Sequence, residues 1–375
     1  MNLSCNQRAV TVVFLLLYCS ADGFDVVPIT TDLNDQHSPA VYGDIVVWAD
    51  SRNGNWDIYG YDLSENYEFQ ITFDPADQGD PAIYRNIVVW TDKRHGNFDI
   101  YGLNLGTEQE FQITEDPKMQ FAPAIFWDIV VWTDFRNGVP DIYGYNLTTE
   151  EEFAVTTNEK LQIDPQIYGD YVVWEDSRNF KSDIYCYRLS AKEEFRITSR
   201  LYCQSSPAIY KDFVVWCDDR HGTEEVFTFL YGNFDIYGYD LSTKKSFQVT
   251  TDENDQKNPE IYGDIVVWVD ERNGNRDIYG LNLLTQEEFQ ITFDPADQYN
   301  PAICGNILVW TDERNGNADI YGSILPVTVD VVPVPFKTLP ELPQYSSWMV
   351  VAFIVVVVVV FGVLTWRSKP RGKTQ

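Results

Sequence analysis

Histidine is almost missing from this chain: His37, His95 and His221 are the only three in 375 residues, and none has a repeated serine or cysteine partner. Gly-x-Ser-x-Gly, His-Glu-x-x-His and phosphate-loop segments are also missing, so no nucleophile–base pair or metalloprotease signature presents itself. A carboxylate pair can hide among the abundant acids, but nothing singles one out. Cations are scarce as well, with 27 Lys and Arg against 57 Asp and Glu, a formal net charge of −30. A surface of that sign repels phosphate backbones, and nucleic acid is not an expected partner. It suits the solvation of a β-rich surface, or a life among divalent cations. Cysteine is sparse and irregular: Cys5 and Cys19 lie in an apolar leader, while Cys186, Cys203, Cys217 and Cys304 occupy unrelated positions. They share no metal-ligand spacing and make no disulfide framework, which leaves room for one bridge among Cys186, Cys203 and Cys217.

Repetition is what the chain has in abundance. Asp44-Ile45-Val46-Val47-Trp48 opens a segment that runs through Asp50, Arg52, Asn53-Gly54-Asn55 and Asp57-Ile58-Tyr59-Gly60, and it recurs seven times. Its tryptophans are Trp48, Trp90, Trp132, Trp174, Trp216, Trp268 and Trp310, spaced 42, 42, 42, 42, 52 and 42 apart. A fixed period of this length marks a stacked or radial array of supersecondary units. Each unit reads as four strands, in the first copy Pro39 to Tyr42, Ile45 to Asp50, Asp57 to Leu63 and Glu68 to Thr72. β-Branched and aromatic runs between Gly-Asp and Asn-Gly turns are the warrant. Val-Val-Trp lacks polar alternation and predicts burial on both faces, as in a sheet sandwiched between neighbouring sheets.

The fourth strand, Phe69-Gln70-Ile71-Thr72, has only six copies for seven tryptophans, and the missing one stands at the start as Val26 to Asp32. The expectation is an all-β, seven-bladed β-propeller over residues 24–325 whose N-terminal strand completes the last blade. Closure of that kind removes the exposed edges of an open array. These same residues, from Pro-Ala-Ile-Tyr through Val-Val-Trp and Asp-Ile-Tyr-Gly to Phe-Gln-Ile-Thr, resemble the repeat of TolB-type, WD-like β-propellers on prokaryotic, especially archaeal, cell surfaces. The likeness covers about residues 26–324, without the N-terminal α/β domain of the periplasmic translocation protein. It implies the propeller and not the translocation role.

Several positions never vary. Gln36, Gln78, Gln120, Gln162, Gln204, Gln256 and Gln298 lie twelve before each tryptophan; an Asp lies two after, an Arg four after, and another Asp opens each third strand. Strand polarity gathers them on one face. Two readings follow: an Asp–Arg–Asp lattice with Gln tying blade to blade, satisfying buried polar groups, or a polar ring at the channel mouth that binds a ligand or ion. Asp32/Asp35, Asp74/Asp77, Asp252/Asp255 and Asp294/Asp297 offer either oxygen ligands for Ca²⁺ or Asx turns.

The symmetry breaks between His221 and Asn233, where ten extra residues, Thr223 to Gly232, carry Phe227, Phe229, Leu230 and Tyr231. Apolar residues on a lengthened loop mark either a contact surface or a flap folded over its own blade. Asn146-Leu147-Thr148 is a glycosylation sequon.

The ends set the address. Residues 1–23 read as a secretory signal peptide. Residues 326–347 form a proline-rich stalk, and 348–366, apolar between Trp348 and Trp366, a transmembrane helix. A basic tail, 367–375, places the N-terminal side outside the cell. The expectation is a single-pass cell-surface propeller that binds an extracellular protein or envelope glycan. The alternatives are a propeller glycosidase or polysaccharide lyase, which should show an asymmetric cluster of acids or histidines in its channel, and a structural envelope component.

Overall fold

The computed structural model describes residues 24–179, 181–199, 202–221 and 233–326. The expected signal peptide, most of the stalk, the membrane helix and the insertion with Phe227, Phe229, Leu230 and Tyr231 lie outside them. What is described forms seven antiparallel four-stranded sheets, each built from consecutive strands a to d except the last. In blade 1 these are Gln36–Tyr42, Ile45–Asp50, Asp57–Asp62 and Tyr67–Gln70. Blade 7 takes Gln298–Cys304, Ile307–Asp312 and Asp319–Ile324, and its outer strand is Val26–Pro28 from the start of the chain.

The closing strand is held as an ordinary fourth strand would be. Ile320 donates its amide to Thr30 Oγ1 at 2.8 Å, as Ile58 does to Thr72 Oγ1 in blade 1 at 2.8 Å. Ile29 and Thr30 both return their amides to the Ile320 carbonyl, as Ile71 and Thr72 do to that of Ile58. The seven-bladed ring and its N-terminal latch are therefore as the strand count predicts.

All seven tryptophans are at most 1 % exposed. Each is sealed between two sheets. Trp90 clusters with Val47 and Ile58 of the preceding blade, and Trp48 with Val309 and Ile320 across the closure. Gly60 lets this layer close, since a Cβ there would stand 2.7 Å from Phe69 Cζ. The suggested disulfide does not form, and all four described cysteines are free. Cys186 packs between blades 4 and 5, whereas Cys217 accepts the Asn258 amide between blades 5 and 6.

Strand a starts three residues earlier than the pattern predicts, and the reason matters for the site. Gln36 and His37 pair with Asp50 and Ala49, the ladder then skips, and Ala40 pairs with Val47. The skipped pair is Ser38-Pro39. Proline brings no donor to a ladder, and a bulge with one extra residue absorbs it. Every blade repeats the bulge, and the residue before the proline is left-handed each time, with φ between 49° and 53°.

Candidate functional site

The invariant residues form a scaffold around the mouth. Asp50 accepts Trp48 Nε1 at 3.0 Å and is gripped by Arg52 through Nε at 2.9 Å and Nη2 at 2.6 Å. The guanidinium lies 4.2 Å over the Tyr59 ring. Its far edge meets Glu68 of strand d, which corrects the expected Asp–Arg–Asp lattice to Asp–Arg–Glu. Tyr59 carries the guanidinium across strand c, beyond Asp57 and out to strand d. Asp57 is held by Asn53 and Asn55, at 2.8 and 3.0 Å, and burial still pushes its carboxyl up. Blades 2, 3, 4 and 6 repeat the grip with Glu110, Glu152, Glu194 and Glu288.

Gln36, Gln78, Gln120, Gln162, Gln204, Gln256 and Gln298 are all buried, and none lines the central cavity. The Gln78 main chain donates to Trp56 O of the preceding blade at 2.7 Å, so the tie between blades is a backbone one. Its side chain donates to Ala76 O at 2.5 Å. Asp32, Asp74, Asp252 and Asp294 close Asx turns onto the amide two residues on, at 2.9 to 3.0 Å. Their partners Asp35, Asp77, Asp255 and Asp297 accept an amide from the neighbouring blade. Asn146 ends strand c of blade 3 on the opposite face, its Oδ1 taken by the Thr148 and Thr149 amides.

The bore itself is different. Strand a of every blade lines it, and its bulges and the residues just beyond them enclose a cavity of about 490 Å³. At the far end Tyr42, Tyr84, Phe126, Tyr168, Tyr210 and Tyr262 form a girdle, with successive ring centroids 4.4 to 4.8 Å apart. Cys304 takes the seventh place. Burial pushes the Tyr168 hydroxyl up, and Tyr42, three blades away, adds to the push. The rings thus narrow the bore.

Above the girdle the sevenfold pattern dissolves. The bulge position reads Ser38, Asp80, Ala122, Asp164, Ser206, Asn258 and Asn300, and two residues on stand Ala40, Ala82, Ala124, Gln166, Ala208, Glu260 and Ala302. Three carboxylates therefore face the cavity, from blades 2, 4 and 6. Asp80 accepts Thr91 Oγ1 at 3.3 Å. Burial, then the Asp80 charge, push Asp164 up. Glu260 is partly buried at the cavity, and desolvation pushes it up to about 8. Restricted hydration of this partly buried carboxyl is the cause.

Behind the wall Glu175 takes the Ser182 hydroxyl at 2.6 Å and is raised by burial. At the mouth, burial lowers the pKa of His37, whose ring rests 4.2 Å from that of Trp56. Lys257 is engaged by Asp255 at 2.5 Å and Glu271 at 3.6 Å. The signal for this site was in the sequence as the variable residue before an invariant proline, but its meaning needed the bulge.

No family model matches the chain, and no curated protein sequence does. Solved structures do. An oligogalacturonate lyase from Vibrio parahaemolyticus superposes with a TM-score of 0.63 at 12% identity, over 82% of this chain and 95% of that one. A second, solved in complex with manganese, gives 0.61 at 13% over 82% and 99%. A puromycin-hydrolyzing peptidase of Mycobacterium tuberculosis gives 0.58 at 11%, over 74% of this chain and 48% of its own. The likeness is one of fold.

Proposed function

We propose that this protein is a recognition module, held outside the cell by a C-terminal membrane anchor, that takes part of an extracellular protein or envelope glycan into its central cavity. One observation carries the reading. The invariant aspartates and arginines after each tryptophan are locked onto one another, as Asp50 and Arg52 are, whereas the variable residues before each proline face open space and include two of the three cavity carboxylates. A ring kept only for stability has no need to place acids where they are desolvated. Strand b of blade 5 ends at Asp218 and strand c begins at Asp235, and Phe227, Phe229, Leu230 and Tyr231 of the intervening insertion are proposed as further contact residues.

The test is capture. The full chain, a form lacking residues 223–232 and an Asp164→Asn/Glu260→Gln form are passed over envelope extract and a glycan array. Binding lost with the double substitution supports the cavity; binding lost only with the deletion moves the contact to the loop. Binding that survives both substitutions and deletion overturns the reading.

A second reading has its own support. An asymmetric set of acids in the bore is what a propeller glycosidase or lyase should show, and a carboxyl raised to about 8 stays protonated near neutral pH, as a general acid must. The neighbours' name suggests oligogalacturonate as a trial substrate, but a bore lined by acids and, among the described residues, by no cation repels a polyuronate. Release of reducing ends from neutral glycans, abolished by Glu260→Gln, would establish the enzyme.

A further inference from the structure

We propose that the seam between blades 7 and 1 carries a second binding site, a cleft on the mouth face that takes the pyranose ring of a non-acidic carbohydrate. The cleft shares no lining residue with the bore, and nothing about it depends on the central cavity. It begins with one small residue. The position just before the aspartate of strand c is larger in five blades, as with Trp56, Phe234 and Arg276, and small in two, at Ser182 and Ala318. A larger side chain there meets strand a of the next blade: Arg276 covers the Tyr299 ring at 4.7 Å, and the Phe234 ring meets Lys257 Nζ at 5.4 Å. At Ser182, Glu175 reaches in and accepts the hydroxyl at 2.6 Å. Ala318 offers only a methyl, and beside it lies a cavity of about 400 Å³, within the roughly 300–1,000 Å³ of small-molecule sites.

Rings and oxygens line this cleft together. Trp56, Tyr299 and His37 supply the rings, with those of His37 and Trp56 4.2 Å apart. Asp35 accepts the Ala318 amide through one oxygen at 3.1 Å, and Glu313 accepts the Tyr299 hydroxyl through one at 3.0 Å. Among the described residues the second oxygen of each has neither hydrogen bond nor ion pair. His37 shares Nδ1 with Ser38 Oγ at 2.9 Å, and its Nε2 has no hydrogen bond among them either. A pyranose matches that mixture. Its C–H face turns positive hydrogens to the negative face of an aromatic ring, while its hydroxyls donate to carboxylate oxygens in charge-assisted hydrogen bonds. A wholly apolar ligand would bury those oxygens unpaired. Charge then selects among sugars. No lysine or arginine lines the cleft beside Asp35 and Glu313, and burial favours the uncharged form of His37, so an acidic sugar is repelled. A neighbouring cavity of about 510 Å³, around the b–c turn of blade 6, has no ring in its lining. It is a polar recess without a stacking surface.

Saturation-transfer NMR titration of the full chain tests this, with cellotriose, maltotriose and mannotriose as neutral probes and a galacturonate trimer as the acidic one. At least one neutral trisaccharide should bind, and the acidic trimer about 10-fold more weakly or not at all. Ala318→Trp gives blade 7 the residue that blade 1 already carries at this position; it should fill the cleft and abolish binding without lowering the thermal midpoint. Trp56→Ala should weaken the neutral sugar about 10-fold. Glu253→Gln, in the ringless cavity by blade 6, should change nothing. Binding that survives Ala318→Trp, or that is lost only in the Asp164→Asn/Glu260→Gln form, would put the sugar elsewhere and overturn the inference. So would a galacturonate trimer held as tightly as the neutral sugars, or binding by none of the four.

Discussion

Two positions of one repeat behave in opposite ways. Two residues after each tryptophan stands an aspartate in all seven blades; ten residues before it stand Ser38, Asp80, Ala122, Asp164, Ser206, Asn258 and Asn300. The first is fully buried and held by an indole and a guanidinium. A charge so placed is tolerable only with its partners, and removing one leaves the others stranded. The second opens onto a cavity and answers to no neighbour of fixed kind. Repetition here records a local packing requirement, and variation shows where that requirement stops.

The largest break in the comparison should come from Trp132→Ala, which empties the layer between blades 2 and 3. Urea unfolding of the full chain should show a loss of about 3–5 kcal/mol. Asp134→Ala strands Arg136 and the Trp132 N–H and should fall in the same range, about 3–5 kcal/mol. Glu152→Ala, at the exposed end of that network, should lose about 1 kcal/mol or less. Equal losses from Asp134 and Glu152 would show that the buried grip has no special role.

The closure can be weighed against an interior blade. Thr30→Val and Thr114→Val each leave a buried strand-c amide without its acceptor and should each lose about 1–3 kcal/mol. A much smaller loss for Thr30 would mean that the terminal strand is the loosest joint of the ring.

Glu260 sharpens the other side. Its carboxyl rises from the ordinary 4.5 to about 8 in the folded protein, so its contribution to stability is complete below pH 4.5 and is lost as pH climbs through 8. Wild type should therefore weaken relative to Glu260→Gln across that window, by about 1–2 kcal/mol after allowance for cavity water. Asp80, Asp164, Glu175, His37, Lys257, Cys304 and the girdle tyrosines, the other ionisable groups around the bore, are common to both proteins, so the difference isolates Glu260. A pH-independent difference would show the carboxyl to be hydrated. Smallest of all, Asp164→Asn should shift stability by no more than about 0.5 kcal/mol while weakening capture.

The blades were legible because each strand's signal is local: Val46-Val47-Trp48 and Asp57-Ile58-Tyr59 need only burial and turn chemistry to be read. The second partner of Arg52 was not, because Glu68 lies sixteen residues away on strand d and is reached over Tyr59. Nor did the seven glutamines declare themselves interior, since a polar residue repeated at a ring mouth reads equally well as ligand-facing.

The sequence alone determined the number of blades, their strand order and the latch at Thr30, because period and alternation are properties of the chain. Only the tertiary structure decided which side chains meet in the bore. The bulge before each proline shifts the strand ladder by one residue, and sevenfold closure then brings Asp80, Asp164 and Glu260, scattered over 180 residues of sequence, around one cavity.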